Sequence, residues 1–186
     1  MASVRGTQIK QSVASLAWLG EDARREVLRR LSPDTLSQIE AAVRVQWLPH
    51  ALAVELCRNV RDVSGEDAVR GWSRASVNSG RDGSLYGPFL SGVITLFGLH
   101  PPAFWRIAPR AYRAAFKDCG DLRVLDVGPR SADLALVDLP PEGMDRSWLV
   151  SVAGGLEVVF DVCRVEGRVE LDLGGADDPH LRATWG

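Results

Sequence analysis

Lysine is nearly missing from this chain: only Lys10 and Lys117 stand among its 22 basic residues, and the rest are arginines. Codon composition explains that bias before guanidinium chemistry does. Against 24 acids the total is −2, with a sequence pI of about 5.9. No basic excess is available for a dedicated nucleic-acid binder, which is thereby excluded. Cysteine is scarce, with Cys57, Cys119 and Cys163 forming an odd set without C-x-x-C, so no disulfide framework is expected and the compartment reads as cytoplasmic. Histidine is as rare. His50, His100 and His180 lie far apart and lack metal-ligand spacing, so no metal is expected. No apolar run approaches the ~20 residues of a membrane span, and the N-terminus has no apolar leader core. The Gly-rich phosphate loops and the G-x-S-x-G elbow are missing too. No acid/base pair or nucleophile with its base can be assembled, so the chain is not expected to be an enzyme.

What is present is an average globular composition: 186 residues, 46% hydrophobic and 25% charged. That fits one domain spanning 1–186, with neither repeats nor low-complexity segments. The small total charge hides a division, because residues 1–120 carry 16 bases and 11 acids (+5) while 121–186 carry 6 bases and 13 acids (−7). Two complementary layers are the simplest reading.

Residues 1–119 read as helical. A first helix carries Val13, Leu16 and Ala17 on one face and ends at Gly20, and a second runs from Glu21 to Leu31. Ser32-Pro33 opens a third with Leu36, Ile39, Ala42 and Val43 inward. Trp47-Leu48-Pro49 breaks the pattern before a stronger helix with Leu52, Leu56, Val60 and Val63. A turn at Ser64-Gly65 leads to a helix through Trp72 to about Val77, and Asn78 to Gly83 reads as a loop. Leu85 to Phe97 is apolar nearly all round, as a central buried helix would be. The helix from about Pro102 to Phe116 has an aromatic stripe and a basic one, Arg106, Arg110, Arg113 and Lys117.

From residue 120 to 186 the period changes to two. A hairpin over Leu122–Leu139, a helix over Ser147–Cys163 with Gly154-Gly155 inside it, and strands over Arg168–Leu173 and Leu181–Trp185 give the order ββαββ. The fold class is therefore α+β, with N-terminal helices packed on a small antiparallel sheet.

Several short motifs recur in order along the chain: Val4-Arg5-Gly6, Trp47-Leu48-Pro49, the Gly-x-x-x-x-Leu-Tyr-Gly run of Gly80 to Gly87, Pro101 to Arg110, Gly120-Asp121-Leu122-Arg123 and the closing Ala183-Thr184-Trp185. On these the chain resembles a myxobacterial paralogous family of uncharacterised proteins, related to 4-vinyl-reductase-like (V4R) and haem NO-binding domains. The resemblance implies helices on one side of a small antiparallel sheet with a cavity between. It also implies a small-molecule-sensing or partner-binding module, often dimeric, whose relatives include assembly subunits of vesicle-tethering complexes. Two departures stand out. The last turn, Gly174 to Pro179, lacks the cysteines many V4R-like domains carry there, which argues against metal or redox sensing. The Tyr-x-Ser-x-Arg clamp of haem NO-binding domains is missing and His100 sits at a loop beside Pro101-Pro102, so no haem or other cofactor is expected.

Two sites follow. Tyr86, Phe89, Val93, Trp105, Tyr112 and Phe116 are candidates to line a pocket between helices and sheet, or are plain core. Arg106, Arg110, Arg113 and Lys117 are candidates for an acidic partner, a second copy included, or are a solvated helix face with internal ion pairs. Cys57 and Cys163 read as buried, and Cys119, between Asp118 and Gly120, as more exposed but with its thiol pKa raised by its acidic neighbour. The leading expectation is a non-enzymatic regulatory or interaction module that binds a partner protein, as a homodimer or within a larger complex; the alternative is a sensor for a small apolar ligand.

Overall fold

The computed structural model describes residues 1–80, 99–174 and 178–186. The Leu85–Phe97 helix, with Tyr86, Phe89 and Val93, and the middle of the last turn lie outside the described residues.

The chain opens on a strand, β1 (Ser3–Arg5), followed by α1 (Gly6–Ala14) and a 3₁₀ turn over Ser15–Leu19. Helices α2 (Glu21–Arg30) and α3 (Pro33–Ala41) follow. Ser32 caps α3 as its sequence predicts, its Oγ accepting from the Thr35 N–H at 3.2 Å, with proline in the first turn. Val43, expected inward, is exposed because α3 stops at Ala41. Trp47–Pro49 is a strand, β2, rather than a simple break, and leads into α4 (His50–Ser64). Gly65, at φ 88° in the left-handed region that favours glycine, turns the chain into α5 (Glu66–Ser79), which takes in the first residues of the expected Asn78–Gly83 loop. Next come α6 (Pro101–Ala115) and β3 (Phe116–Lys117).

Within the stretch read as helical, β1 pairs antiparallel with β2 (Val4 opposite Leu48) and with β3 (Val4 opposite Phe116), giving a three-stranded sheet of order β2-β1-β3. Strands this short hold too little alternation to stand out from their helical neighbours.

The second sheet is the expected ββαββ unit. β4 (Asp121–Val127) and β5 (Ser131–Val137) form the hairpin, with a bulge between Val124 and Asp126. The helix follows in two pieces, α7 (Arg146–Leu156) and α8 (Val158–Cys163), then β6 (Gly167–Asp172) and β7 (His180–Trp185), in the order β4-β5-β7-β6. The joint is Glu157, whose carboxylate accepts from Val169 N–H on β6 and from Arg70 on α5. Asp145 caps α7, accepting from the N–H groups of Ser147 and Trp148 and from Arg58 Nε at 2.7 Å. Among the described residues α5 and α7 make the most extensive helix–helix contact, and it turns on Gly154: a Cβ there would lie 2.3 Å from the Arg70 carbonyl oxygen. Trp72, Trp105 and Phe160 fill the centre. The architecture is α+β, helices against small antiparallel sheets.

Candidate functional site

A cavity of about 140 Å³ lies among α1, α4, α5, α6, α7 and α8. Phe104, Ile107, Ala108, Ala111 and Tyr112 of α6 form one wall at the 3–4 spacing of a helix face, and Val158 and Val159 of α8 extend it. Val4 and Phe116, paired in the three-stranded sheet, close one end. Ile9, Ala53, Leu56, Trp72 and Trp148 add further apolar surface.

Set into this surface are the only polar contributors among the described lining residues, all uncharged: Gln8, Ser12, Cys57, Ser73, Ser151 and the polar tips of Tyr112, Trp72 and Trp148. Most are partly engaged. Ser73 Oγ donates to the Ser151 carbonyl at 2.6 Å and accepts from Ser151 Oγ at 3.2 Å. Gln8 Nε2 donates to Ser12 Oγ at 3.5 Å, and Ser12 Oγ shares a 3.3 Å hydrogen bond with Ser76 Oγ. The Trp72 N–H donates to the Ser12 carbonyl at 2.9 Å. Tyr112 donates its hydroxyl to the Cys119 carbonyl at 2.9 Å, and burial raises its pKa. Burial pushes the Cys57 thiol up to about 12, with the Ser151 hydroxyl offsetting part of the shift, so it stays protonated.

Of the candidate pocket residues, Tyr112 and Phe116 line the cavity. Trp105 does not. One position round the helix from Phe104, about 100°, it is fully buried against Phe160 and Trp185 at ring distances of 5.7 and 6.3 Å. Tyr86, Phe89 and Val93 lie outside the described residues. Neither the serines nor Gln8 can be picked out in the sequence, because a lone hydroxyl or amide carries no periodic signal. The one legible hint was Ser151 inside the apolar run Leu149–Ala153.

Arg106, Arg110 and Arg113 share the exposed face of α6, but Lys117, expected to continue their stripe, is exposed on β3 because the helix stops at Ala115. Arg113 Nε sits 3.5 Å from Asp121 Oδ1, an exposed pair of small energetic weight. The other three have no ion-pair partner among the described residues.

Cys119 is fully buried, not exposed: its thiol donates to the carbonyls of Ser3 and Lys117, and burial pushes its pKa up to about 11. His100 and His180 are exposed. His50, the first residue of α4, is fully buried, edge-on to Trp148 at 4.4 Å, with neither ring nitrogen hydrogen-bonded. None of the three histidines lines the cavity. No metal-ligating cluster occurs among the described residues, and no helix among them is long and apolar enough to cross a membrane.

No family model matches the sequence, and no curated protein matches it. Solved structures do match. The Fe(II) unliganded H-NOX protein from K. algicida superimposes with a TM-score of 0.68 at 10% identity, covering 98% of this chain and 96% of that one. The fold is that of the H-NOX domains. An H-NOX structure addressing the mechanism of H-NOX activation gives a TM-score of 0.65 at 14% identity, covering 97% and 96%, and one probing heme distortion in the H-NOX family gives 0.65 at 14%, covering 97% and 94%. At these identities the H-NOX likeness is one of architecture, near end to end in both chains.

Proposed function

We propose that this chain is a non-enzymatic, sensor-type module that encloses a small uncharged ligand in the cavity beside α6, in the manner of the V4R class it resembles. The observation that carries this reading is an uncharged, mainly apolar cavity of about 140 Å³ within a fold shared with H-NOX domains. Apolar cavities of about that size take up xenon or benzene.

The H-NOX neighbours are described with Fe(II) and heme. The described residues do not fit that group. A haem exceeds the drug-sized ligands that already need ~300–1,000 Å³, whereas this cavity measures about 140 Å³. Axial ligands come from His, Cys, Met or Tyr; among the described residues no histidine or methionine lines the space, the Cys57 thiol is held protonated, and the Tyr112 hydroxyl donates to Cys119. No described lining residue carries a positive charge for the propionates.

The test is xenon uptake, by ¹²⁹Xe NMR or pressurised crystals, together with native mass spectrometry of the purified protein and a haemin titration. Xenon beside Phe104 and Ile107, or a co-purifying small molecule, supports the reading. A space that xenon never enters overturns it, and a stoichiometric Soret band overturns the exclusion of haem.

A protein partner is the second reading, favoured by Arg106, Arg110 and Lys117 standing exposed without ion pairs among the described residues. Reversing Arg106 and Arg110 to glutamate is expected to abolish partner capture at unchanged melting temperature; capture that survives removes this face from the reading.

A further inference from the structure

Resting on the ligand-binding reading above, we propose that the cavity selects a compact neutral molecule, about benzene-sized, that carries one hydroxyl or carbonyl group on an otherwise apolar body.

Size sets the first limit, since about 140 Å³ admits a single small ring or a short branched chain. Charge sets the second. Every described lining side chain is uncharged, so an ammonium or carboxylate would lose its hydration without gaining a counter-charge. The third limit comes from unfilled hydrogen-bonding capacity in the wall. Ser73 Oγ donates once and accepts once, which leaves a lone pair. Trp148 lines the same cavity, is 3% exposed, and its indole N–H has no acceptor among the described residues. A purely hydrocarbon occupant leaves both groups unsatisfied, at a cost a polar one avoids. On the α6 wall the one polar group, the Tyr112 hydroxyl, has already given its proton to the Cys119 carbonyl and keeps only acceptor capacity, with no donor there to match the Trp148 N–H. The polar end of the occupant therefore belongs at the serines of α5 and α7, and its apolar body against Phe104, Ile107 and Ala108.

Cyclopentane, cyclopentanol and cyclopentylammonium form a matched probe series, titrated into the full chain by NMR and calorimetry. Cyclopentanol is expected to bind and the ammonium not to. In the double variant Ser73→Ala, Ser151→Ala, cyclopentanol is expected to weaken by about three- to tenfold, the loss of one net hydrogen bond, while cyclopentane is unchanged. If the variant fails to fold, nuclear Overhauser contacts in the native chain decide: the carbinol proton beside Ser73 and Ser151 supports the proposal, and beside Phe104 and Ile107 overturns it. Equal weakening of both probes, ammonium binding as tight as cyclopentanol, or xenon entry without cyclopentanol binding also overturns it, leaving the ligand-binding reading intact. Exclusion of xenon and all three probes overturns both.

Discussion

Arg70 and Glu157 form a largely buried ion pair between the two halves of the molecule: Arg70 Nη1 on α5 lies 2.8 Å from Glu157 Oε1 at the α7–α8 joint, with only 17% and 6% of the side chains exposed. The same guanidinium nitrogen donates to the Val169 carbonyl at 2.6 Å, and the same carboxylate oxygen accepts from the Val169 N–H at 3.1 Å. Glu157→Ala strands a largely buried cation and a strand N–H together. The expected cost is about 3 kcal/mol, the lower end for a broken buried pair because Arg70 keeps some solvent. Urea midpoints check this, and adding Arg70→Met to Glu157→Ala is expected to restore part of the loss.

The adjacent glycines of α7 are expected to respond in opposite ways. Gly154→Ala places a methyl 2.3 Å from the backbone oxygen of Arg70 and must push α5 off α7, costing about 2 kcal/mol as overpacking does. Among the described residues Gly155→Ala meets only Ser73 Oγ and Val77 Cγ2, both at 3.4 Å, and it gains helix propensity. Because Gly155 lines the cavity, that variant is expected to keep its melting temperature and lose xenon occupancy.

His50 makes stability depend on pH in a defined window. Burial pushes its pKa from 6.5 to about 4, with Glu142 opposing the shift. As pH falls the unfolded chain takes up the proton first, so the contribution is intact above about 6.5 and is lost on the way down to about 4. The loss approaches about 3 kcal/mol. Since neither ring nitrogen is hydrogen-bonded, His50→Phe is expected to keep stability at pH 7 and flatten that slope. Glu66 and Asp145, whose pKa values are lowered, contribute only further into acid. Chemical denaturation at pH 4 to 8 separates the two.

All three thiols are buried, and burial raises their pKa values to about 12 for Cys57 and about 11 for Cys119 and Cys163. Ellman's reagent at pH 7.5 is expected to titrate none in the native protein and all three in denaturant. Fast native reaction at Cys119 would contradict its burial beneath β1.

Periodicity made much of this molecule legible before any coordinates. Leu52, Leu56 and Val60 marked α4, Ser32-Pro33 marked the start of α3, and the switch to alternation at Gly120 marked the second sheet. It could not reveal β1, whose partners lie more than 40 and 110 residues away, because no local window holds both sides of a ladder. The site was half legible for a related reason. Aromatic residues on α6 announced a buried face, but 100° of rotation separates Phe104, which lines the cavity, from Trp105, which fills the core. The expected exposure of Cys119 failed because the strand that covers it begins at Ser3.

The pairing of Val4 with both Leu48 and Phe116 also carries a kinetic consequence. Both ends of the cavity wall, Val4 and Val159, are drawn from opposite ends of the chain, so the compartment closes only when contacts of very long sequence separation have formed. The chain entropy of closing such long loops is spent before the contacts repay it, which makes this compartment a slow part of the fold to assemble. An occupant that binds the assembled wall and not the unfolded chain therefore adds to stability in step with its concentration relative to its Kd.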